Sequence, residues 1–149
     1  MTMRYRFCAL LALLTVVGVA AVAPLLAHHS VQGTFAVEEL VVVRGVISKI
    51  QWTNPHIYLF LDVTDENGEV TQWAIETLPT NHLRRLGVTR ESLTANAKAG
   101  EVVTVYAYPA HDKTKNFVFL VRIKYPDNHY IHIFGDPADF VDPDEASIG

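Results

Sequence analysis

The sequence predicts a mainly β protein: a small OB-like barrel of five to six strands, with a short helical link between the third and fourth strands. Five segments rich in β-branched and aromatic residues are separated by turn residues. A stretch with helix-capping residues separates the third segment from the fourth. The long first segment contains a glycine, and a bent first strand suits barrel closure. An open β-sandwich of similar strand count is the alternative.

The first three strands are predicted from residue type and alternation. The first covers residues 40–52, with Gly45 marking a bulge or a sharp bend. The second covers residues 56–64 and the third covers residues 69–77. The turn sequence "DENGE" lies between them, and Gly68 in it suits a positive φ. The second and third strands are therefore expected to form a hairpin.

The register of this hairpin can be predicted from its loop. A three-residue loop that pairs Asp65 with Glu69 places large apolar residues on one face, as a buried face requires: Leu59, Leu61, Trp73 and Ile75. The same register places Glu76 opposite Tyr58 and diagonal to His56, on the other face.

The remaining elements follow from caps and strand patterns. Thr80 is predicted as the N-cap of a first short helix that stops at Gly87, and Thr89 as the cap of a second helical turn. Strand patterns return twice, over residues 101–108 and 117–125, and "HYIHIF" can add a short strand.

The N-terminal segment is predicted to be a secretory signal peptide over residues 1–27. Two basic residues, Arg4 and Arg6, precede an uncharged apolar run that ends at Ala27, the expected cleavage site. An uncleaved anchor is the alternative, and it would be the only membrane attachment that we expect. The predicted localisation is periplasmic or secreted.

The exported part is predicted as a barrel domain over residues 28–135 and an acidic, flexible tail over residues 136–149. The chain has 12 basic and 16 acidic residues, and loss of the signal would remove two of the basic ones. Such an acidic surface repels phosphate backbones, so no nucleic-acid partner is expected. The single cysteine, Cys8, lies in the signal, which excludes disulfides from the exported part.

Two of the seven histidines, His28 and His29, follow the expected cleavage site directly. Cleavage would give His28 a free α-amine beside its imidazole, and these two nitrogens can chelate one metal ion. His29 could instead bind through the amine, its own amide and its ring. Nitrogen-rich tetragonal sites favour copper, although zinc accepts the same imidazoles. The alternative is that both residues are solvated parts of the N-terminus.

His56 is the candidate partner imidazole for this metal. It follows the turn at Asn54, which Pro55 restrains, at the entrance of the second strand. Trp52 could shield this turn, and the Glu76 carboxylate could orient the imidazole from behind. The alternatives are a turn histidine that caps backbone groups and a solvated glutamate.

A second candidate surface is formed by Tyr58 and Phe60 on the non-core face of the second strand. Aromatic side chains there could stack on a ligand or dock a periplasmic protein partner, unless the C-terminal segment covers them. The sequence has none of the common hydrolase, metalloprotease, phosphate-loop or dinucleotide-loop motifs. Binding is therefore favoured over catalysis, and no catalytic residue is predicted.

Several motifs together resemble a family of secreted bacterial proteins of unknown function. They are "AHHS" (27–30), "WTNPH" (52–56), "WAIE" (73–76) and "RRLGVT" (84–89). Val88 departs from the tryptophan usual in the family loop, and the tail beyond Tyr125 is an addition. The resemblance implies export, a β-rich fold and a pairing of the N-terminal histidines with the Asn-Pro-His turn. It implies no activity.

These observations predict an exported barrel that binds a metal ion, with copper favoured, through its N-terminal histidine, for carriage or sensing rather than turnover. The alternative is a metal-free periplasmic binding or adaptor module that uses the aromatic face.

Overall fold

The computed structural model describes residues 31–95 and 100–142. The first described helix, α1 (Val31–Thr34), belongs to an N-terminal unit, Met1–Thr34. The other described elements belong to a second unit that begins at Phe35. The predicted signal peptide lies outside the described residues. Among those described, no helix reaches the length and apolarity that crossing a bilayer requires.

Six strands form one sheet in the second unit: β1 (Val41–Trp52), β2 (Ile57–Thr64), β3 (Val70–Thr77), β4 (Val102–Pro109), β5 (Phe117–Lys124) and β6 (Tyr130–His132). Their order is β3-β2-β1-β4-β5-β6, and neighbours are antiparallel. A parallel pairing of β3 with residues 117–119 of β5 closes the first five strands into a barrel. The predicted OB-like barrel is therefore confirmed, with β6 as the extra strand.

The hairpin of β2 and β3 has the predicted register. Leu61 pairs with Trp73, and Tyr58 pairs with Glu76. The loop closes through the amide of Asp65, which donates to the carbonyl of Glu69 over 3.0 Å. One face of the hairpin therefore lies in the core, where Ile57, Leu59, Leu61 and Ile75 are fully buried.

The irregularity of β1 lies beyond the predicted position. A bulge or bend was expected at Gly45, but the pairing of β1 with β2 shifts between Ile47 and Lys49. Gly45 has a different role, because a Cβ atom there would lie only 2.7 Å from the carbonyl oxygen of Asp62. The glycine therefore permits a close approach of β1 to β2.

The link between β3 and β4 contains two short helices, α2 (Thr80–Arg85) and α3 (Ser92–Ala95). Thr80 was predicted as the N-cap of α2, and this is wrong: Pro79 holds that position, without a side-chain hydrogen bond. The predicted stop at Gly87 is confirmed by its φ of 74°. The predicted cap of α3 is also confirmed, since the Ser92 amide donates to Thr89 Oγ1 over 3.1 Å.

The two ends of the barrel differ, and we name them by what closes them. The link end contains the end of β1, the start of β2, the end of β3 and the helical link. Three side chains of the link are buried in the core there, Leu83, Val88 and Leu93. Because neighbouring strands are antiparallel, the open end contains the start of β1, the end of β2 and the loop between β4 and β5.

The described part of the C-terminal tail packs on the outside of the barrel. The Phe140 ring meets the Tyr106 ring edge-on, with centroids 5.2 Å apart. The Tyr106 hydroxyl donates to Asp142 Oδ1 over 2.9 Å. Residues 143–149 lie outside the described residues, and the predicted domain boundary after residue 135 stays a prediction.

Candidate functional site

The candidate site lies at the link end, on the turn between β1 and β2. His56 directly follows the Asn54–Pro55 bond, which is cis, and precedes the first residue of β2. Its side chain is 48% exposed, and Nδ1 lies 2.6 Å from Glu76 Oε1. The Glu76 side chain is only 15% exposed. About half of the imidazole is thus open to solvent, while its Nδ1 atom contacts the mostly buried Glu76 carboxylate.

The Glu76 carboxylate is shared with a second ring. Its Oε2 accepts a hydrogen bond from the Tyr58 hydroxyl over 3.3 Å. Burial raises the pKa of Tyr58, and the negative charge of Glu76 raises it further. Tyr58 therefore stays neutral and donates to the carboxylate. Its ring stacks on the His56 ring with centroids 6.2 Å apart, so three side chains form one cluster, as the predicted register requires.

The turn that carries His56 is also tied to the helical link. Thr80 Oγ1 donates to Asn54 Oδ1 over 2.6 Å. Sequence reasoning missed Thr80 as a site residue, because its position before a helix suggested a capping role. Asn54 was predicted beside the site, and its side chain bonds the link rather than the imidazole. The first residue of α2 thus restrains the turn through Asn54, in addition to the contact of Glu76 with His56.

Trp52 ends β1, where it pairs with Ile57 across the turn. Its side chain is partly buried and packs against the core cluster. The tryptophan therefore anchors the base of the turn through apolar contact.

The second predicted surface forms a row of rings on the outer face. The Tyr58 ring lies 6.4 Å from the Phe60 ring and 6.3 Å from the Phe117 ring, measured between centroids. Lys49 Nζ lies 5.2 Å from the Phe60 centroid. All three rings are partly exposed, and the C-terminal aromatic Phe134 packs elsewhere, on Tyr108 and Phe119.

Of the three predicted metal ligands, His56 is the one that lies within the described residues. The predicted ligands His28 and His29 lie outside the described residues. Within residues 31–95 and 100–142, no three side chains of His, Cys, Asp or Glu come together in a metal-binding group. His56 and Glu76 nevertheless fit one imidazole ligand with its orienting carboxylate, an arrangement common around protein-bound metals. This part of the chain can thus supply one ligand position.

The sequence matches a family model over residues 14–118, which is most of the chain. The chain belongs to DUF6152, a family of unknown function. The DUF6152 match includes His28, His29, His56 and Glu76, and it ends at the start of β5. Export and the shared histidine motifs stay predictions for this member. No curated protein matches the sequence.

Proposed function

We propose that the protein binds a copper ion after export, through the α-amine and imidazole of His28 with the His56 imidazole as a further ligand. His29 is the alternative N-terminal ligand. The proposed role is carriage or sensing of the metal in the periplasm or outside the cell, rather than turnover.

The observation that carries this proposal is the 2.6 Å contact between His56 Nδ1 and Glu76 Oε1. A carboxylate that accepts from Nδ1–H leaves the lone pair of Nε2 for a metal and fixes the orientation of the ring. The half-exposed imidazole is reachable from solvent. The turn is restrained by two contacts, that of Glu76 with His56 and that of Thr80 with Asn54, which favours a preformed ligand position.

The donor set favours copper over zinc. An α-amine and two imidazoles give three nitrogen donors, and nitrogen-rich tetragonal sites suit copper(II), which also binds most tightly among the divalent first-row metals. Zinc would accept the same imidazoles in a tetrahedral site. The two metals therefore form the two arms of the binding experiment.

The experiment is equilibrium dialysis of protein recovered from the cell after expression of the whole chain, against copper(II) and zinc(II). Intact mass of the same sample reads the first residue, expected to be His28. The double variant His28→Ala with His29→Ala keeps the α-amine but removes both N-terminal imidazoles, and copper affinity should fall at least about 100-fold. Equal copper binding by the two proteins, or a product that begins at another residue, contradicts the proposal.

The role of the carboxylate is tested by Glu76→Gln. Loss of such an orienting partner weakens metal affinity by about 10–100-fold, and the same direction is expected for copper here. Glu69→Gln is the matched control, because Glu69 is an exposed residue of the same hairpin. Copper affinity that is the same in both variants would remove Glu76 from the site.

The row of Tyr58, Phe60 and Phe117 supports a second candidate function, a metal-free adaptor module. Its partly exposed rings suit an apolar segment of a periplasmic protein. Loss of partner capture in Tyr58→Ala, unchanged by chelation of metal, would favour this function over copper binding.

A further inference from the structure

A cavity of ≈ 300 Å³ lies at the open end of the barrel, and its lining includes neither His56 nor Glu76. Its apolar walls include Val41 from β1, Val63 from β2, Trp73 from β3 and Val118 from β5. Mouths of β-barrels are common ligand sites, and volumes near 300 Å³ are at the lower end of the range for ligand pockets. The cavity therefore suits a small, largely apolar molecule.

The cavity arises because the first half of β1 pairs only with β4, whereas the second half pairs with β2. Residues 41–46 of β1 pair with β4, whereas pairing with β2 begins only at Val46. Val63 pairs with β3 instead. The start of β1 thus separates from the β2–β3 hairpin just beyond the close contact of Gly45 with Asp62. The resulting opening follows from the barrel topology.

The charged side chains that line the cavity are basic, and two of them pair with acidic residues outside the lining. Among the described residues that line it, the ionisable ones are Arg44, Lys113 and Lys115, although acidic residues outnumber basic ones in the whole chain. Lys113 pairs with Glu39, and Lys115 pairs with Asp112 over 3.3 Å. The rim thus concentrates cationic groups in an acidic chain, which suits a ligand with an anionic group at one end.

These ion pairs leave the lysines available to a ligand. The Lys113 and Lys115 side chains are 55% and 66% exposed, and their partners Glu39 and Asp112 are 53% and 48% exposed. Exposed ion pairs contribute little in water. A carboxylate brought to the rim by an apolar chain can therefore compete with Glu39 and Asp112 for the two ammonium groups.

We propose that this cavity binds a small single-chain carboxylate of the medium-chain fatty-acid class. The alkyl chain lies against Val41, Val63 and Trp73, and the carboxylate lies at Lys113 and Lys115. Burial of the chain supplies affinity, and the lysines select the charged head group over a neutral one. This site is independent of the copper proposal, since it shares no residue with it.

Octanoate is the probe, and Trp73 is the reporter. The chain has two tryptophans, so Trp52→Phe leaves Trp73 as the only indole. Titration of this full-length variant with octanoate should give a saturable change in Trp73 emission, with a Kd on the order of 0.1 mM. Octan-1-ol should bind at least tenfold more weakly. No saturable change with octanoate overturns the proposal, and equal binding of the alcohol overturns the carboxylate assignment.

Variants in the same Trp52→Phe background locate the binding. The double variant Lys113→Gln with Lys115→Gln should bind octanoate about tenfold more weakly and bind octan-1-ol as before. Lys49→Gln is the matched control, because Lys49 lies over Phe60 and does not line the cavity.

Val63→Phe fills the cavity and should abolish the change in Trp73 emission on addition of octanoate. Circular dichroism checks that this variant folds. Octanoate binding that is unchanged in the lysine double variant, or retained in folded Val63→Phe, contradicts the assignment.

Discussion

At the link end, the barrel is filled by side chains of the helical link, and the polar cluster of His56, Glu76 and Tyr58 lies just outside the packed core. At the open end, a cavity remains between Val41 and Trp73. The same five strands thus enclose a packed core at one end and a cavity at the other. The two proposed sites follow this division.

The two ends of the barrel suit the two kinds of binding that we propose. An oriented imidazole needs neighbours that do not move, which buried aliphatic packing around Leu83 and Leu93 supplies. An apolar ligand needs unfilled volume, which the divergence of β1 from β2 supplies. Variants at each end should therefore have different consequences.

Leu83→Ala at the link end should have the largest effect on stability. Leu83 is fully buried, and its truncation leaves a cavity that the barrel cannot close, which costs about 2–5 kcal/mol. Leu86→Ala is the control three residues on, where the side chain is 52% exposed and the cost should stay below about 0.5 kcal/mol. Urea unfolding measures both. Similar values for the two variants would contradict the view that the link fills this end.

Gly45→Ala at the open end should have the next largest effect. The added Cβ would lie 2.7 Å from the Asp62 carbonyl oxygen and 3.1 Å from Val63 Cγ2. Neither β1 nor β2 can move without disturbing the pairing between them, so the free energy of unfolding should fall by about 1–3 kcal/mol. The same shift should alter the cavity while the His56–Glu76 contact persists.

The matched control for Gly45→Ala is Lys49→Ala, an exposed position of the same strand. It removes one cation above the Phe60 ring, which is worth about 0.5–1 kcal/mol at an exposed site. Thermal unfolding of the two variants in parallel distinguishes the effect of the strand contact on stability from the effect of the surface charge. A Gly45→Ala protein as stable as the wild type would show that β1 and β2 have freedom to separate here.

The features that sequence reasoning predicted correctly depend on short-range order. A hairpin with a short loop has one register that buries its large apolar side chains, so the amino-acid pattern alone is enough to pair Tyr58 with Glu76. The His56–Glu76 contact then follows, because diagonal residues on one face are close enough for long side chains to meet. Gly87 and Thr89 were found for the same reason, since caps act within one turn.

The features that it missed depend on contacts between distant segments. Thr80 bonds Asn54, 26 positions away, and no local pattern distinguishes this role from a cap. The glycine in β1 was recognised as special, but its reason is the Asp62 carbonyl of another strand. The open-end cavity depends on where β1 changes partners. These features follow from barrel closure, which a pattern along one strand does not specify.

Alkaline pH should weaken the link end through Tyr125, which is the smallest of the three effects. Burial raises the pKa of Tyr125, and the charge of Asp127 adds to this; its hydroxyl donates to the Leu93 carbonyl over 2.9 Å. A folded-state pKa above the unfolded one gives a stabilisation that is complete below the unfolded pKa, about 10, and is lost as pH rises toward the folded value. The free energy of unfolding should therefore fall by about 1 kcal/mol between about pH 9 and about pH 11.

Tyr125→Phe should remove most of this pH dependence of the unfolding free energy. Tyr58→Phe should remove less of it, since Tyr58 is more exposed. Urea unfolding across this range compares the three proteins, and a slope that is unchanged in Tyr125→Phe would mean that the phenol beneath the link does not control the alkaline limit of the barrel.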